Sequence, residues 1–362
     1  MEQLLIRQAY INKRPISATL ELLPLCNLNC DMCYVRLSKK EMDQQGSLLP
    51  YTKWIELAKQ MQEMGILFLL ITGGEPLLFP HFKELYVELK KMGFIISINT
   101  NGTLFNQHWI DFFVKYKPRR INITLYGSNN DTYKKLCHYP NGFTDTMHTI
   151  KALIKHQLPL KINGSIVKDN VDELQELYDI CLQHDVPIHV DTYMIPSLSS
   201  PLLKKQAMIR LSPEEMAQAE LITLKNELTE EAFTTYLQQT IQKLEATPAY
   251  PNGISCQAAN TSFAINWKGD MSPCISMKGL TISVLDHSLE EAWEFLYKES
   301  KKLMMDSKCA TCQYRPICKT CVATARLETS HYNKAPSYLC AYSEAYAKLL
   351  YDEYNKTSPQ RD

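Results

Sequence analysis

Residues 26–33, Cys-Asn-Leu-Asn-Cys-Asp-Met-Cys, hold three cysteines (Cys26, Cys30 and Cys33) in the spacing C-x3-C-x2-C, directly after a predicted strand over 17–23. Three thiolates on one short loop can bind three corners of a four-iron cubane cluster, which leaves the fourth iron open to another molecule. A structural zinc site normally uses four ligands. Three structural cysteines, or an incomplete zinc site, are the alternatives. The loop favours an iron–sulfur cluster with one open position.

Strand-like and helix-like segments alternate around this loop, over residues 15–195. The strand candidates are short and rich in Ile, Leu or Val, as strands buried on both faces should be. Between them apolar residues recur at helical spacing, as at Trp54, Leu57, Ala58 and Met61. Consecutive βα units predict a parallel sheet with right-handed connections, and six units predict an open, partial α/β barrel. The strand candidates are 17–23, 66–71, 94–98, 121–125, 160–167 and 186–194.

A second motif, Gly-Gly-Glu-Pro at residues 73–76, follows the second predicted strand. Glycines let backbone carbonyls approach a ligand closely, and an acceptor-rich turn with a glutamate suits an ammonium group. With the cysteine loop one βα unit earlier, residues 15–195 resemble the radical S-adenosylmethionine (SAM) superfamily. The signature of that family is C-x3-C-x2-C at the end of the first strand of a partial (β/α)6 TIM-like barrel. The resemblance therefore implies an α/β barrel that binds a [4Fe–4S] cluster and SAM.

This resemblance also implies how SAM is held. The Gly-Gly-Glu-Pro turn would receive its amino group, and polar side chains after strand 3 would contact the ribose. Many relatives then have an arginine that binds the SAM carboxylate, but residues 133–138 hold none, and Cys137 falls about where it would be. The alternatives are that Lys134 or Lys135 binds the carboxylate, or that it is held in another way. Cys137 is therefore either a core residue or a catalytic thiol. The implied cofactor-binding residues are Met32, Gly73, Gly74, Glu75, Pro76, Asn99, Asn101 and Thr124, and the implied cluster ligands are Cys26, Cys30 and Cys33.

Seven further cysteines lie between residues 256 and 340. By spacing alone, the C-x2-C-x5-C-x2-C part of this group also fits a zinc ribbon. The whole pattern resembles the SPASM domain, an extension of many radical SAM enzymes, with one departure: two residues rather than three separate Cys318 from Cys321. The resemblance implies two auxiliary [4Fe–4S] clusters, three clusters in all, and the inner one has an open iron or a non-cysteine ligand. The implied ligands are Cys309, Cys312, Cys318 and Cys340 for the outer cluster, and Cys256, Cys274 and Cys321 for the inner one.

The composition limits the class of protein. Lys+Arg and Asp+Glu balance at 39 each in 362 residues, so charge gives no reason to expect nucleic acid or an anionic membrane as a partner. No segment approaches the roughly 18 apolar residues that span a bilayer, and the N-terminus lacks a signal-peptide pattern. We expect a cytoplasmic protein, in which clustered cysteines hold metal more often than they form disulfides.

The domain organisation follows from these patterns. Ser212 as N-cap, Pro213 at the first helical position and Glu215 after it predict a helix that begins a polar helical segment. Only some 16 residues precede the first strand, so we expect any leader peptide to be bound by this segment or by a separate protein. The predicted regions are a radical SAM barrel over 1–200, a helical linker or insert over 201–253, a SPASM domain over 254–345 that includes a hairpin at 262–276, and a helix end with a tail over 346–362.

The resemblance implies a function as well. Radical SAM enzymes generate a 5′-deoxyadenosyl radical with one electron from an external flavodoxin- or ferredoxin-like reductant, and SPASM relatives commonly modify ribosomally made peptides or proteins. We expect an oxidoreductase of this kind, a peptide maturase that forms, for example, thioether or carbon–carbon crosslinks. The alternatives are oxidation of a small molecule such as a sugar or an amino acid, and a non-catalytic electron-transfer scaffold. No catalytic acid or base is assigned; Asp191 and Tyr193 are the best candidates.

Overall fold

A parallel sheet forms the centre of the fold, as the alternating segments predict. The computed structural model describes residues 2–196, 206–246 and 249–357. Over these residues, nine strands lie in one sheet in the order β6-β5-β4-β3-β2-β1-β7-β8-β9. All six predicted barrel strands are present. The strands are β1 (Ser17–Glu21), β2 (Phe68–Thr72), β3 (Ile95–Thr100), β4 (Arg120–Leu125), β5 (Leu160–Ser165), β6 (Ile188–Asp191), β7 (Ser262–Ile265), β8 (Asp270–Ser272) and β9 (Ile282–Ser283).

Thirteen named α-helices lie within the described residues, and most of those in the first half connect the strands. The predicted capping box at Ser212 and Glu215 is confirmed, with Pro213 as the first helical residue. The helices are α1 (Glu2–Ile11), α2 (Lys39–Gln45), α3 (Tyr51–Glu63), α4 (Phe82–Lys91), α5 (Gln107–Lys115), α6 (Asn130–Cys137), α7 (Gly142–Lys155), α8 (Leu174–Gln183), α9 (Pro213–Glu227), α10 (Glu230–Glu245), α11 (Leu289–Ser300), α12 (Val322–Thr329) and α13 (Ser337–Thr357).

The sheet has one apolar and one polar face. Across neighbouring strands, Ile265, Leu20, Ile71, Ile98 and Ile121 are in register, and each is at most 1% exposed. Burying each such side chain contributes about 1.5–3 kcal/mol. Because side chains alternate along a strand, the residues between them face the other way. That opposite face carries half-buried polar side chains, including Ser97, Asn99, Asn122, Thr124 and Asn163.

One pairing was not expected from the sequence. The predicted hairpin at residues 262–276 is present as β7 and β8, but β7 also pairs in parallel with β1, from Ser17 opposite Ser262 to Leu20 opposite Ile265. The first segment of the cysteine-rich half is therefore part of the barrel sheet. Nothing local in residues 262–265 specifies a partner some 240 residues earlier, so only the tertiary fold reveals it.

The chain divides into two compact units. The first comprises residues 1–164, 181–189 and 256–301, and the second comprises 165–180, 190–255 and 302–362. In the second unit, α9 and α10 pack on α13, with Met216, Leu237 and Leu339 buried. The predicted linker around Pro201 and the predicted tail after Thr357 lie outside the described residues. The four-region division remains a prediction.

Candidate functional site

Four residues separate the end of β1 from the three-cysteine loop, which begins at Cys26 beyond the carboxyl end of the strand. Backbone N–H groups bind two of its sulfurs: the N–H of Leu28 donates to Cys26 Sγ over 3.4 Å, and the N–H of Arg36 donates to Cys33 Sγ over 3.3 Å. In parallel βα folds, functional sites lie at the carboxyl ends of the strands. The structure therefore places the loop where the sequence predicts it.

The surroundings of the three thiols suit a positively charged partner. Burial, with a smaller contribution from the neighbouring Glu75, Cys30 and Cys33, raises the pKa of Cys26 to about 12. Burial likewise raises the pKa of Cys33, while a hydrogen bond with Cys137 and then burial raise that of Cys30. Bare thiolates are therefore unfavourable here, and bound iron would offset this cost. Three mutually interacting thiols, of which Cys30 is buried and Cys26 and Cys33 are half-buried, are the donor set that a [4Fe–4S] cluster with one open iron requires.

Within residues 2–196, 206–246 and 249–357, no three His, Cys, Asp or Glu side chains converge as the ligands of one metal ion would. In a cubane cluster each thiolate binds a different iron, so its ligands lie farther apart than those of a single ion.

The Gly-Gly-Glu-Pro turn is packed against the chain that leads into the cysteine loop. The N–H of Gly74 donates to the carbonyl of Leu23 over 2.7 Å, and the N–H of Glu75 donates to the carbonyl of Leu25 over 2.9 Å. A Cβ added at Gly73, where φ is +148°, would lie 2.5 Å from the Leu23 carbonyl oxygen, and one at Gly74 would overlap the carbonyl group of Leu25. The two glycines therefore let the turn approach the residue next to Cys26.

Glu75 fastens this turn to the end of β3. Its fully buried carboxylate accepts hydrogen bonds from the Thr100 hydroxyl, from the N–H of Asn101 at 2.9 Å and from the N–H of Leu77 at 3.2 Å. Burial raises the pKa of Glu75 to about 7, and these hydrogen bonds limit the rise. Pro76 begins the short 3-10 helix Pro76–Leu78 that follows. In this geometry the Glu75 carboxylate accepts hydrogen bonds that hold the turn against the end of β3.

Asn101 joins the end of β3 to the cysteine loop. Its Nδ2 lies 3.5 Å from Cys26 Sγ and donates to Asn27 Oδ1 over 2.9 Å. Its Oδ1 accepts hydrogen bonds from the N–H and the hydroxyl of Thr103, and Asn27 Nδ2 donates to the same hydroxyl over 2.8 Å. Neither Asn27 nor Thr103 was predicted, although their positions inside the cysteine loop and beside the end of strand 3 could have suggested them.

The other predicted SAM contacts lie elsewhere in the barrel. Asn99 accepts a hydrogen bond from Asn122 Nδ2 over 2.8 Å, and both lie with Thr124 on the polar face of the sheet. Met32 is buried within the cysteine loop. The structure thus brings Gly73, Gly74 and Asn101 directly against the loop, and it leaves Asn99 and Thr124 on the wall of the barrel.

Four of the C-terminal cysteines form a second group in the second unit. Cys309 lies in the 3-10 helix Ser307–Thr311, Cys312 follows that helix directly, Cys318 follows the 3-10 helix Arg315–Ile317, and Cys340 lies in the first turn of α13. Burial raises the pKa of Cys309 and of Cys340, and both also interact with Cys318. These are the four ligands predicted for the outer auxiliary cluster.

The three ligands predicted for the inner cluster lie in separate units. Cys256 and Cys274 belong to the first unit, and Cys321 belongs to the second. Cys321 is the N-cap of α12, where its sulfur accepts a hydrogen bond from the N–H of Thr324 over 3.4 Å. A thiolate at a helix N-terminus is stabilised by the helix dipole. The assignment of these three ligands remains a prediction.

Comparisons with known proteins agree with this geometry. Residues 20–181 match the model of the Radical SAM superfamily. The chain is 28% identical over 167 residues to the sporulation killing factor maturation protein SkfB of Bacillus subtilis, an alignment that covers 46% of this chain and only 40% of SkfB. It is 23% identical over 340 residues to the AdoMet-dependent heme synthase of Methanosarcina barkeri, which covers 89% of this chain and 95% of that protein.

The fold matches a solved structure as well. SuiB of Streptococcus suis superposes with a TM-score of 0.67 at 18% identity, over 93% of this chain and 82% of that chain. At this identity the likeness concerns the fold, and it confirms the predicted α/β partial barrel with a C-terminal extension. No described helix is long and apolar enough to cross a membrane.

Proposed function

We propose that this chain is a radical SAM enzyme that oxidatively modifies a ribosomally made peptide or protein. The observation that carries the proposal is the half-buried three-cysteine loop near the end of β1, whose preceding residues pack against the Gly-Gly-Glu-Pro turn. A cluster with an open iron and SAM, when bound there, supply a 5′-deoxyadenosyl radical that abstracts a hydrogen atom from the substrate. An electron-transfer scaffold needs neither an open iron nor this turn.

The chain's own residues have clear tasks in this proposal. Cys26, Cys30 and Cys33 would hold three irons, and the Gly73–Gly74 turn, which packs beside Leu23 and Leu25, would contact the bound SAM. Asn101 keeps Cys26 in place and presents a polar group beside it.

The auxiliary clusters form the second part of the proposal. We assign Cys309, Cys312, Cys318 and Cys340 to an outer cluster, and Cys256, Cys274 and Cys321 to an inner one. Support comes from the mutual interactions of Cys309, Cys318 and Cys340 and from the helix N-terminus at Cys321. Such clusters can accept the electron that a substrate radical gives up, which makes the net reaction oxidative. A flavodoxin- or ferredoxin-like protein would supply the first electron, in a reducing compartment such as the cytoplasm.

The substrate class rests on two kinds of support. SkfB is named as a maturation protein of a killing factor, and SuiB has been crystallised with its precursor peptide SuiA. In this chain, the polar face of the sheet carries side-chain amide groups at Asn122 and Asn163, beside the predicted SAM contacts Asn99 and Thr124. Such groups pair with peptide N–H and C=O groups better than with an apolar macrocycle. A peptide is therefore the substrate class we favour.

The test begins with anaerobic purification and reconstitution, followed by counts of iron and sulfide and an assay of 5′-deoxyadenosine release with dithionite. We expect about twelve irons per chain, from three clusters of four. The triple variant Cys26→Ala, Cys30→Ala, Cys33→Ala should retain about eight irons and release no deoxyadenosine. Cys181→Ala, which removes a buried thiol far from the loop in sequence, is the matched control and should behave as wild type.

The substrate arm uses two probes with this reconstituted protein. A library of short peptides is incubated with the enzyme and SAM, and mass spectrometry searches for losses of two hydrogens. A tetrapyrrole is tested in parallel, because the whole-length relative is named a heme synthase. Turnover of the tetrapyrrole alone would overturn the peptide assignment. A folded protein that binds no iron and releases no deoxyadenosine would overturn the proposed function altogether.

A further inference from the structure

Two side chains outside the cysteine loop approach the sulfur of Cys30. Tyr126 follows β4 directly, and its hydroxyl is hydrogen-bonded to the Cys30 thiol. The same hydroxyl interacts electrostatically with the thiols of Cys26, Cys33 and Cys137. No pattern in the sequence had indicated a role for this tyrosine.

Cys137, the last residue of α6, is the second of these side chains. It is fully buried, and its thiol shares a hydrogen bond with Cys30. Cys137 stands about where many relatives have the arginine that binds the SAM carboxylate, and this contact places its thiol beside Cys30. Cys181, by contrast, is buried in α8, and burial alone raises the pKa of its thiol to about 12.

The backbone holds both groups in place. The N–H groups of Asn29 and Asp31 donate to the carbonyls of Cys137 and Leu136 over 3.1 and 2.9 Å, so the cysteine loop is bonded to the end of α6. His138, the next residue, lies 2.6 Å from the Asp31 carboxylate. Because loop and helix are joined on either side of Cys30, the backbone at Cys30 cannot move away from the end of α6 without breaking these bonds.

Tyr126 is held just as firmly. Its N–H donates to the Tyr133 hydroxyl over 3.2 Å, and its ring packs edge-on against that of Tyr133 at 5.8 Å between centroids. Tyr133 is itself fully buried, and its hydroxyl lies 3.4 Å from that of Thr146. A positioned donor loses little freedom when it forms a hydrogen bond, so the contact with Cys30 is favoured.

The direction of these hydrogen bonds follows from the chemistry of a thiolate. Once Cys30 binds iron it has no hydrogen and can only accept, so the Tyr126 O–H and the Cys137 S–H must be the donors. Hydrogen bonds to cluster sulfurs favour the reduced state, because it carries one more negative charge than the oxidised state. Each donor therefore raises the reduction potential of the cluster.

We propose that Tyr126 and Cys137 are positioning residues that set the reduction potential of the N-terminal cluster through Cys30. The inference rests on the proposed function, since it requires a cluster on Cys26, Cys30 and Cys33. It assigns the buried thiol of Cys137 to the cluster's surroundings, not to substrate chemistry. It also predicts that loss of either donor makes the cluster harder to reduce while its three ligands stay intact.

The test measures the midpoint potential of this cluster in the full-length reconstituted protein, by redox titration followed by electron paramagnetic resonance. The signal that changes on addition of SAM identifies the N-terminal cluster. In Tyr126→Phe and in Cys137→Ala, we expect the ratio of reduced to oxidised cluster at a fixed potential to fall about tenfold, which is about 59 mV for one electron. Iron content should stay at the wild-type value.

Three further variants make the test specific. Cys137→Ser keeps a donor, so its potential should lie closer to wild type than that of Cys137→Ala. Tyr86→Phe removes a buried hydroxyl that donates to the Tyr116 carbonyl, and Cys181→Ala removes a buried thiol; neither should change the potential. If Tyr126→Phe fails to fold, the alanine and serine variants of Cys137 decide the question.

The outcomes separate the two proposals. Equal potentials in wild type, Tyr126→Phe and Cys137→Ala, with full iron content, would overturn the tuning role and leave the proposed function intact. Equal shifts in the alanine and serine variants of Cys137 would show a structural role for that thiol and overturn its assignment as a donor. A wild-type protein without a SAM-sensitive signal would instead count against the proposed function.

Discussion

The two cysteine-rich regions differ in what holds their ligands in place. The three N-terminal cysteines lie within eight residues, on one loop. Backbone hydrogen bonds join this loop and the residues before it to β2, to the Gly-Gly-Glu-Pro turn and to the end of α6. The outer C-terminal four are spread from Cys309 to Cys340 over two 3-10 helices and the start of α13. The fold therefore shapes the N-terminal site before any metal binds. At the C-terminal site, metal binding would supply part of the free energy that folds the surrounding region.

The largest expected effect comes from filling the space at Gly74. In Gly74→Ala the new Cβ overlaps the Leu25 carbonyl group, so the turn must separate from the chain that leads into the cysteine loop. We expect a loss of more than about 4 kcal/mol in the free energy of unfolding, measured by urea denaturation, and loss of the N-terminal cluster.

Gly253→Ala is the matched control in the second unit, where the nearest atom to an added Cβ is 3.5 Å away. It should change the free energy of unfolding by less than about 1 kcal/mol. If Gly74→Ala were as stable as Gly253→Ala, the fold would not shape the N-terminal site as described.

A pH dependence of stability is expected from Glu75. The pKa of this buried carboxyl is raised from 4.5 to about 7 in the folded protein, so between these values the folded state binds more protons than the unfolded chain. The free energy of unfolding should therefore fall as pH rises through this window, by up to about 3 kcal/mol. Below pH 4.5 the carboxyl is protonated in both states, so stability there is at its full value and does not depend on this group.

Urea denaturation of the metal-free protein at several pH values checks this, with Glu75→Gln as the comparison. The variant cannot titrate at this position, so its stability should change less over the same window. Parallel curves for the two proteins would mean that Glu75 titrates normally and is not buried as described.

The smallest expected effect concerns iron removal. After chelation, the amide hydrogens of Cys309, Arg315 and Ile317, which bond only within short turns, should exchange about 100-fold faster, equivalent to about 2.7 kcal/mol. Those of Gly74 and Glu75, which bond to the chain after β1, should change much less. Hydrogen exchange followed by mass spectrometry measures both, and equal acceleration in the two regions would remove the distinction between them.

Much of the barrel could be predicted from the sequence because its determinants are local. Short apolar runs predict the strands, and the capping residues predict the helix after Ser212. The positions of the cysteine loop and the Gly-Gly-Glu-Pro turn could be predicted because each follows the carboxyl end of a strand, the turn directly and the loop after four residues, and parallel strands end at one edge of the sheet.

The contacts that could not be predicted join distant segments. Nothing near Tyr126 in sequence indicates that its hydroxyl reaches Cys30, and Cys137 drew attention only by standing where relatives have an arginine. Glu75 suggested an ammonium partner, yet the fold uses its carboxylate to bind Thr100 and Asn101. Such roles depend on which strand ends become neighbours, which periodicity alone does not specify.

The pairing of β7 with β1 has a consequence for how the chain is made. Strand β1 is synthesised early, but its partner on one side, Ser262–Ile265, leaves the ribosome only after some 240 further residues. Until then one edge of the nascent sheet has unpaired N–H and C=O groups, which are prone to pair with other chains. A truncated barrel that ends near residue 200 would keep this open edge permanently, so aggregation during expression is the expected behaviour of such a fragment.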